Sequence, residues 1–155
     1  DAYYIPAGTV HAIGPGLLIA EIQETSDVTY RISDWGRLDK DGKPRELHTA
    51  EAADAIDFGP AGTYFRSASA APGTVKEVVS TPFFTVNTVE VDGTMCRDYA
   101  ALDSFVVYIC TEGALRVETE GGSEAVAALE SLLLPAETDE ATVSGKGTLL
   151  EVYMG

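Results

Sequence analysis

The stretch Ser104–Glu120 has the sequence SFVVYICTEGALRVETE, and its two halves differ in where the apolar residues fall. Ser104–Thr111 is apolar at almost every position, which is typical of a strand buried on both faces. From Leu115 onward, apolar and charged residues alternate with a period of two, which indicates a half-buried strand. Gly113 marks a turn between the halves. The stretch therefore predicts two consecutive β-strands.

The strand pattern continues on both sides of this stretch, from about Thr74 to the end of the chain. In Phe83–Val91 the apolar residues change face, which predicts a bend or bulge near Asn87. Many short strands separated by turn residues indicate an all-β sandwich or barrel. We therefore expect residues 74–155 to form one small barrel. Its other predicted strands are Ser131–Pro135 and Thr148–Met154, the latter with Leu150, Val152 and Met154 on one face.

The first 73 residues carry fewer elements. We predict strands at Ala2–Pro6, Leu17–Glu24 and Val28–Asp34, and one short helix at Thr49–Ile56. Thr49 is the expected N-cap, and Glu51 lies in the first turn, where a carboxylate favours the helix dipole. Because residues 1–37 are too few for a barrel, we interpret them as the end of a preceding barrel. Residues 38–73 are then a linker that contains the helix.

Composition excludes several classes of partner. The chain has 155 residues and a formal net charge of −15, so it lacks the positive charge that nucleic acids or anionic membranes require. No apolar run approaches the ~20 residues that span a bilayer. The two cysteines, Cys96 and Cys110, form no CxxC pair, and we expect both to be reduced in a cytoplasmic protein.

Four residues near the N-terminus are candidates for chemistry. His11 follows a Pro6-x-Gly8 turn, and neutral imidazole is a common metal ligand. Glu21, Asp27 and Arg31 follow within twenty residues, and paired carboxylates near a guanidinium suit proton transfer on an anionic substrate. The residues alone leave structural alternatives open. These are a hydrogen-bonded structural histidine, and an Asp–Arg ion pair that braces a turn while Glu21 is exposed.

These segments resemble a known family. Pro6-x-Gly8-x-x-His11 resembles the second metal-binding motif of the cupin superfamily. Together, YIPAGTVHA (residues 4–12), EIQETSDVTYR (21–31) and DWGR (34–37) closely resemble the bacterial zinc-dependent type I mannose-6-phosphate isomerases. The later strands resemble the C-terminal cupin of the same family. In that barrel the motif position is occupied by residues 135–140, where glutamates replace both Gly and His, so no metal is expected there.

The resemblance implies a cupin-type jelly-roll fold and the interconversion of mannose 6-phosphate and fructose 6-phosphate by proton transfer between C1 and C2. It implies one Zn²⁺ per active site, with His11 as a ligand and the other ligands upstream of Asp1. It assigns Arg31 to stabilisation of the enediolate or to the phosphate, and Glu21 and Asp27 to the active-site carboxylates. It does not identify the base.

Because those other ligands are absent from these 155 residues, we expect this chain alone to bind zinc weakly and to be inactive. A homodimer or domain swap that completes the first barrel is also considered. The alternative function is a non-catalytic cupin module that binds a sugar or regulates a partner. The second barrel is assigned no site.

Overall fold

The structure is a computed structural model that describes residues 1–26, 28–60 and 62–154. The chain folds into two compact units. The larger unit comprises Asp1–Tyr4 and Phe65–Gly155, and the smaller unit comprises Ile5–Tyr64. All named strands belong to the larger unit, and the helix belongs to the smaller one. No helix among the described residues is long and apolar enough to cross a membrane.

The larger unit is built from antiparallel strands. These are β1 (Ala2–Tyr3), β2 (Phe65–Arg66), β3 (Thr74–Ser80), β4 (Phe84–Asp98), β5 (Val106–Thr119), β6 (Gly122–Ala127), β7 (Ser131–Leu134) and β8 (Glu140–Met154). β1 pairs with β2, and the others form one sheet in the order β3-β4-β8-β5-β6, with β7 on the first residues of β5. The all-β prediction for residues 74–155 is confirmed.

The two strands predicted around Gly113 are one continuous strand, β5. A register shift between Cys110 and Glu112 takes the place of the expected turn. Before the shift β5 pairs with β7, and after it β5 pairs with β6, so the change of pattern marks a change of neighbour. Leu115 and Val117 are buried while the charged residues between and after them are exposed, as the alternation predicts.

The irregularity predicted near Asn87 lies on the neighbouring strand. β4 pairs with β8 without interruption, whereas β3 shifts register between Glu77 and Val79, opposite Asn87. The prediction of a bend within β4 is therefore wrong, although its position along the sheet is right. β4 has buried residues on both faces around Asn87, and this explains the loss of simple alternation there.

Gly113 and Gly147 face each other across β5 and β8, beside the register shift. A Cβ on Gly113 would lie 2.2 Å from the Lys146 carbonyl oxygen, and φ at Gly113 is +84°. We expect Gly113→Ala to lower the free energy of unfolding by about 2 to 4 kcal/mol, measured by urea denaturation. Gly121→Ala is the control, because its Cβ would meet only Thr119 Oγ1 at 3.6 Å. Equal losses in both variants would contradict this account.

In the smaller unit the predicted helix is present as α1 (Thr49–Ala55), with Glu51 in its first turn. The predicted N-cap is wrong, because His48 occupies that position and makes no capping hydrogen bond through its side chain. The His48 ring is instead hydrogen-bonded to another segment of this unit. Ala52 is the buried residue of the helix.

The strands predicted at Leu17–Glu24 and Val28–Asp34 are not present among the described residues of this unit. Of the strand predicted at Ala2–Pro6, only the two residues of β1 are present, and they belong to the larger unit. Leu17, Leu18 and Ile19 are 67%, 79% and 50% exposed, although they are consecutive and apolar. A β-strand needs a neighbour to satisfy its backbone groups, and no described segment pairs with these residues.

Candidate active site

His11 is presented by a tight turn that the sequence encodes directly. The Thr9 N–H donates to the Pro6 carbonyl at 3.2 Å, and Gly8 lies at φ +80°, which a type II turn requires at this position. The exposed imidazole hydrogen-bonds through Nδ1 to the Thr9 carbonyl at 2.9 Å. A carbonyl only accepts, so Nδ1 carries the proton and Nε2 has a lone pair available to a ligand.

Residues 135–140 of the larger unit, which correspond to residues 6–11, form a similar turn without a glycine. The Thr138 N–H donates to the Pro135 carbonyl at 3.0 Å, as in the first segment. Glu137 occupies the position of Gly8 and is not among the residues with positive φ. The correspondence between residues 6–11 and 135–140 is therefore matched by a shared hydrogen bond, but the positive φ of Gly8 is not reproduced.

Arg31 is held at three points by the segment that precedes α1. Its N–H donates to His48 Nδ1 at 3.2 Å, and its carbonyl accepts from the His48 N–H at 2.8 Å. Its Nη1 donates to the Glu46 carbonyl at 3.3 Å. Sequence analysis missed this connection, because His48 is seventeen residues from Arg31 and only the fold pairs them. The other N–H groups of the guanidinium make no hydrogen bond to a described residue.

The DWGR segment forms a turn braced by an ion pair. Arg45 donates through both Nε and Nη2 to the two oxygens of Asp34, with Nε to Oδ2 at 2.5 Å. This hydrogen-bonded contact lowers the pKa of the Asp34 carboxyl below its ordinary value. Within the turn, exposed Trp35 lies at φ +54°, an unusual conformation for a bulky residue. This pair was not foreseen from the sequence, and the Asp–Arg pair considered there, between Asp27 and Arg31, involves a residue outside the described ones.

The predicted site residues make no direct polar contact with one another within the described part of the chain. Glu21 is exposed, and Asp27 lies outside the described residues. Among the described residues, no hydrogen bond or ion pair joins His11, Glu21 and Arg31 to one another. The described residues also contain no group of three or more His, Cys, Asp or Glu side chains that could hold a metal.

A second polar cluster lies inside the larger unit, and sequence analysis did not predict it. Glu151 is fully buried. Its carboxylate accepts from Arg97 Nε at 2.8 Å and Nη2 at 3.0 Å, from Asn87 Nδ2 at 2.8 Å and from the Tyr99 hydroxyl at 2.5 Å. The Tyr99 and Tyr108 hydroxyls are 2.5 Å apart. We call these five residues the Glu151 cluster.

Electrostatics keeps the Glu151 cluster charged at its centre. Burial alone would raise the pKa of the Glu151 carboxyl, but the hydrogen bonds from Arg97, Tyr99 and Asn87 outweigh burial and lower it. The hydrogen bond with Glu151 raises the pKa of Arg97. Burial raises the pKa of both phenols, so Tyr99 and Tyr108 stay protonated. The cluster is an ion pair enclosed by neutral donors.

Comparison with known proteins identifies the larger unit. Residues 74–154 match the family model described as "Mannose-6-phosphate isomerase, cupin domain". The chain belongs to the mannose-6-phosphate isomerase cupin family. The cupin-type jelly-roll predicted from the sequence is thereby confirmed.

Relatives in this family match most of the chain. The putative mannose-6-phosphate isomerase YvyI of Bacillus subtilis (strain 168) is 34% identical over 152 residues, which are 97% of this chain and 48% of that protein. A mannose-6-phosphate isomerase of Streptococcus mutans serotype c is 35% identical over 127 residues, 77% of this chain and 38% of that protein. The chain therefore spans about half or less of the length of these relatives.

A solved structure supports the same assignment. The crystal structure of the mannose 6-phosphate isomerase from Bacillus subtilis superposes with a TM-score of 0.69 and 29% identity. The match covers 82% of this chain and 40% of that structure.

Proposed function

We propose that this chain is the second part of a mannose-6-phosphate isomerase, which interconverts mannose 6-phosphate and fructose 6-phosphate by moving a proton between C1 and C2. The observation that carries the proposal is the 34% identity to YvyI over 97% of the chain, because it includes the His11 and Arg31 segments as well as the cupin barrel. In this proposal residues 1–37 are the C-terminal part of the catalytic barrel, and residues 74–155 form a non-catalytic barrel. Residues 38–73 are the linker between the two barrels.

Exposed apolar residues support the assignment of residues 1–37. Besides Leu17–Ile19, the residues Val28, Tyr30 and Ile32 recur with a period of two and are 65%, 43% and 39% exposed. Such a face is normally buried against a neighbouring strand. We infer that its neighbours are strands of the catalytic barrel that precede this segment in the longer protein. A second copy of this chain that exchanges the same segment is the competing source of those strands.

His11 fits the role of a zinc ligand. Histidines that bind metals usually donate their second ring N–H to a carbonyl or carboxylate, which fixes the tautomer and orients the ring. The bond from Nδ1 to the Thr9 carbonyl at 2.9 Å has this form and leaves Nε2 for the metal. Zinc, when bound, supplies Lewis-acid polarisation of substrate oxygens. Its other ligands would come from residues outside this chain.

Arg31 is proposed to hold the phosphate or the developing enediolate, and Glu21 and Asp27 to act as proton carriers. A guanidinium fixed by its backbone and by Glu46 offers donors in a set direction to an oxyanion. The net charge of −15 makes this local positive charge necessary for an anionic sugar phosphate.

The exposed Cys96 and buried Cys110 thiols are unpaired, as a cytoplasmic location favours.

The direct test is an isomerase assay on the full-length protein with mannose 6-phosphate, in parallel with the 155-residue chain. We expect turnover by the full-length protein and none by the chain alone. Sugar-phosphate binding without turnover in the full-length protein would instead support a non-catalytic cupin module. Robust turnover by the chain would show that the upstream ligands are unnecessary.

Replacing His11 tests the zinc assignment independently of catalysis. His11→Ala in the full-length protein should lower zinc affinity by more than about a hundredfold, because losing only an outer-shell partner of a ligand costs about tenfold to a hundredfold; the measurement is competition with a chromophoric chelator. His48→Ala is the matched control, because that ring accepts a hydrogen bond from the Arg31 N–H and is not a proposed zinc ligand. Unchanged zinc affinity in His11→Ala would remove His11 from the ligand set.

A further inference from the structure

The larger unit contains a cavity beside the Glu151 cluster that the proposed isomerase reaction does not use. Its volume is about 280 Å³. The cavity lies where β4 ends and the following loop passes the end of β8. It is lined by Arg97, Asp98, Tyr99, Ala101, Leu102 and Tyr153. Asp98 and Ala101 are exposed, so the cavity opens to solvent.

Three polar groups of this lining have unused hydrogen-bonding capacity. Arg97 commits Nε and Nη2 to Glu151, and its Nη1 has no partner among the described residues. Asp98 accepts from the Ala100 N–H through Oδ1 only. The Tyr153 hydroxyl receives a long contact of 3.5 Å from Asn87 but donates to no described acceptor. The cavity thus offers two kinds of donor and one carboxylate acceptor.

The charge of the lining disfavours anions. The Arg97 guanidinium, with 23% of its side chain exposed, is neutralised by Glu151 directly behind it. Asp98 then leaves one uncompensated negative charge at the rim, so a phosphate ester would be repelled. Ligands whose groups both donate and accept suit this arrangement, and the Tyr99 ring with Leu102 supplies an apolar wall.

We propose that this cavity binds an uncharged, hydroxyl-rich small molecule of the size of a monosaccharide. The volume lies just below the range of about 300 to 1,000 Å³ for drug-sized sites, which limits the ligand to a single ring. Sugar hydroxyls would accept from Arg97 Nη1 and the Tyr153 hydroxyl, and donate to Asp98 Oδ2. The proposal does not depend on the isomerase function, because all of these residues belong to the larger unit.

The test is a titration of the ¹⁵N-labelled 155-residue chain with D-mannose, followed by amide chemical shifts. We expect saturable shifts confined to residues 97–102 and 153, with a Kd of about 1 to 10 mM. Asp98→Asn, which removes the charged acceptor, should weaken binding about tenfold. Ala101→Trp fills the cavity from an exposed position and should abolish binding. Asp103→Asn, an exposed carboxylate outside the lining, should leave binding unchanged.

The outcomes separate this site from the isomerase site. Absence of saturable shifts at these residues up to ~50 mM D-mannose would overturn the proposal. Mannose 6-phosphate that binds this cavity more tightly than D-mannose would overturn the uncharged class of ligand. Shifts confined to the Arg31 segment would also overturn it, and would leave the proposed isomerase function intact.

Discussion

Replacing Glu151 by Gln is expected to lower the free energy of unfolding by about 3 kcal/mol, because it leaves the partly buried Arg97 guanidinium without its partner and the buried donors without an anion. The carboxylate accepts hydrogen bonds from three residues, Arg97, Asn87 and Tyr99. A carboxamide has one oxygen, and in either orientation its NH₂ group would face an N–H of Arg97, which cannot accept a hydrogen bond. The loss is a large part of the total stability of a domain, which is about 5 to 15 kcal/mol.

The measurement is equilibrium urea unfolding of the chain, followed by far-UV circular dichroism. Glu140→Gln is the matched control, since Glu140 is exposed at the start of the same strand. Its effect should stay within about 0.5 kcal/mol. If Glu151→Gln is as stable as the wild type with an unchanged m-value, the carboxylate does not anchor the interior.

The difference in unfolding free energy between the wild type and Glu151→Gln should also depend on pH, and its sign follows from the pKa of Glu151. The folded pKa of Glu151 is lowered from its ordinary value of 4.5. A carboxyl group whose pKa is lower in the folded state stabilises that state when it is ionised. This contribution is fully present above pH 4.5 and is lost as pH falls through the folded pKa. The difference in unfolding free energy between wild type and Glu151→Gln should therefore be constant near neutral pH and shrink below pH 4.5. A difference that grows in acid would contradict the assignment.

The barrel was predictable because its strands follow simple rules. In β5, Leu115 and Val117 are buried while Arg116 and Glu118 are exposed, so the predicted period of two matches the fold. The position of Thr49–Ala55 was also predictable, from the acidic first turn and the alanines. The sequence predicts a turn at Gly113, but this glycine is needed where two backbones approach closely. Sequence pattern cannot distinguish these two uses of glycine.

The Glu151 cluster was not predictable from hydrophobic pattern. In β8 the three apolar residues Leu150, Val152 and Met154 share a face, yet the buried face carries Leu149 and Glu151. A glutamate is placed outside by every hydrophobicity rule, and only its donors on β4 and in the following loop make burial favourable. Those donors, Asn87, Arg97 and Tyr99, lie more than fifty residues away in sequence.

Strand predictions in the smaller unit fail for a related reason. Leu17–Glu24 and Val28–Asp34 have the composition of strands, but composition does not provide the neighbour that completes a ladder. The local turn at Pro6–Thr9 is present because it requires only its own residues. Arg31 also has a determined environment, since both of its backbone partners lie on His48.

Arg31→Lys in the full-length protein is expected to reduce kcat/KM for mannose 6-phosphate by about 100- to 1000-fold. The bonds from the Arg31 backbone to His48 do not involve the side chain, so the substitution leaves the local chain in place. Lysine keeps the positive charge but lacks the planar fork that grips an oxyanion at two points. Zinc content should be unchanged. Arg116→Lys, an exposed arginine on β5, is the matched control.

The separate values of kcat and KM decide which role Arg31 has. A higher KM with unchanged kcat means that the guanidinium binds the phosphate equally in the ground state and the transition state. A lower kcat with unchanged KM means that it acts on charge that develops only during enolisation. Activity within about threefold of the wild type would exclude both roles. Arg31 would then serve only to fasten its segment to Glu46 and His48.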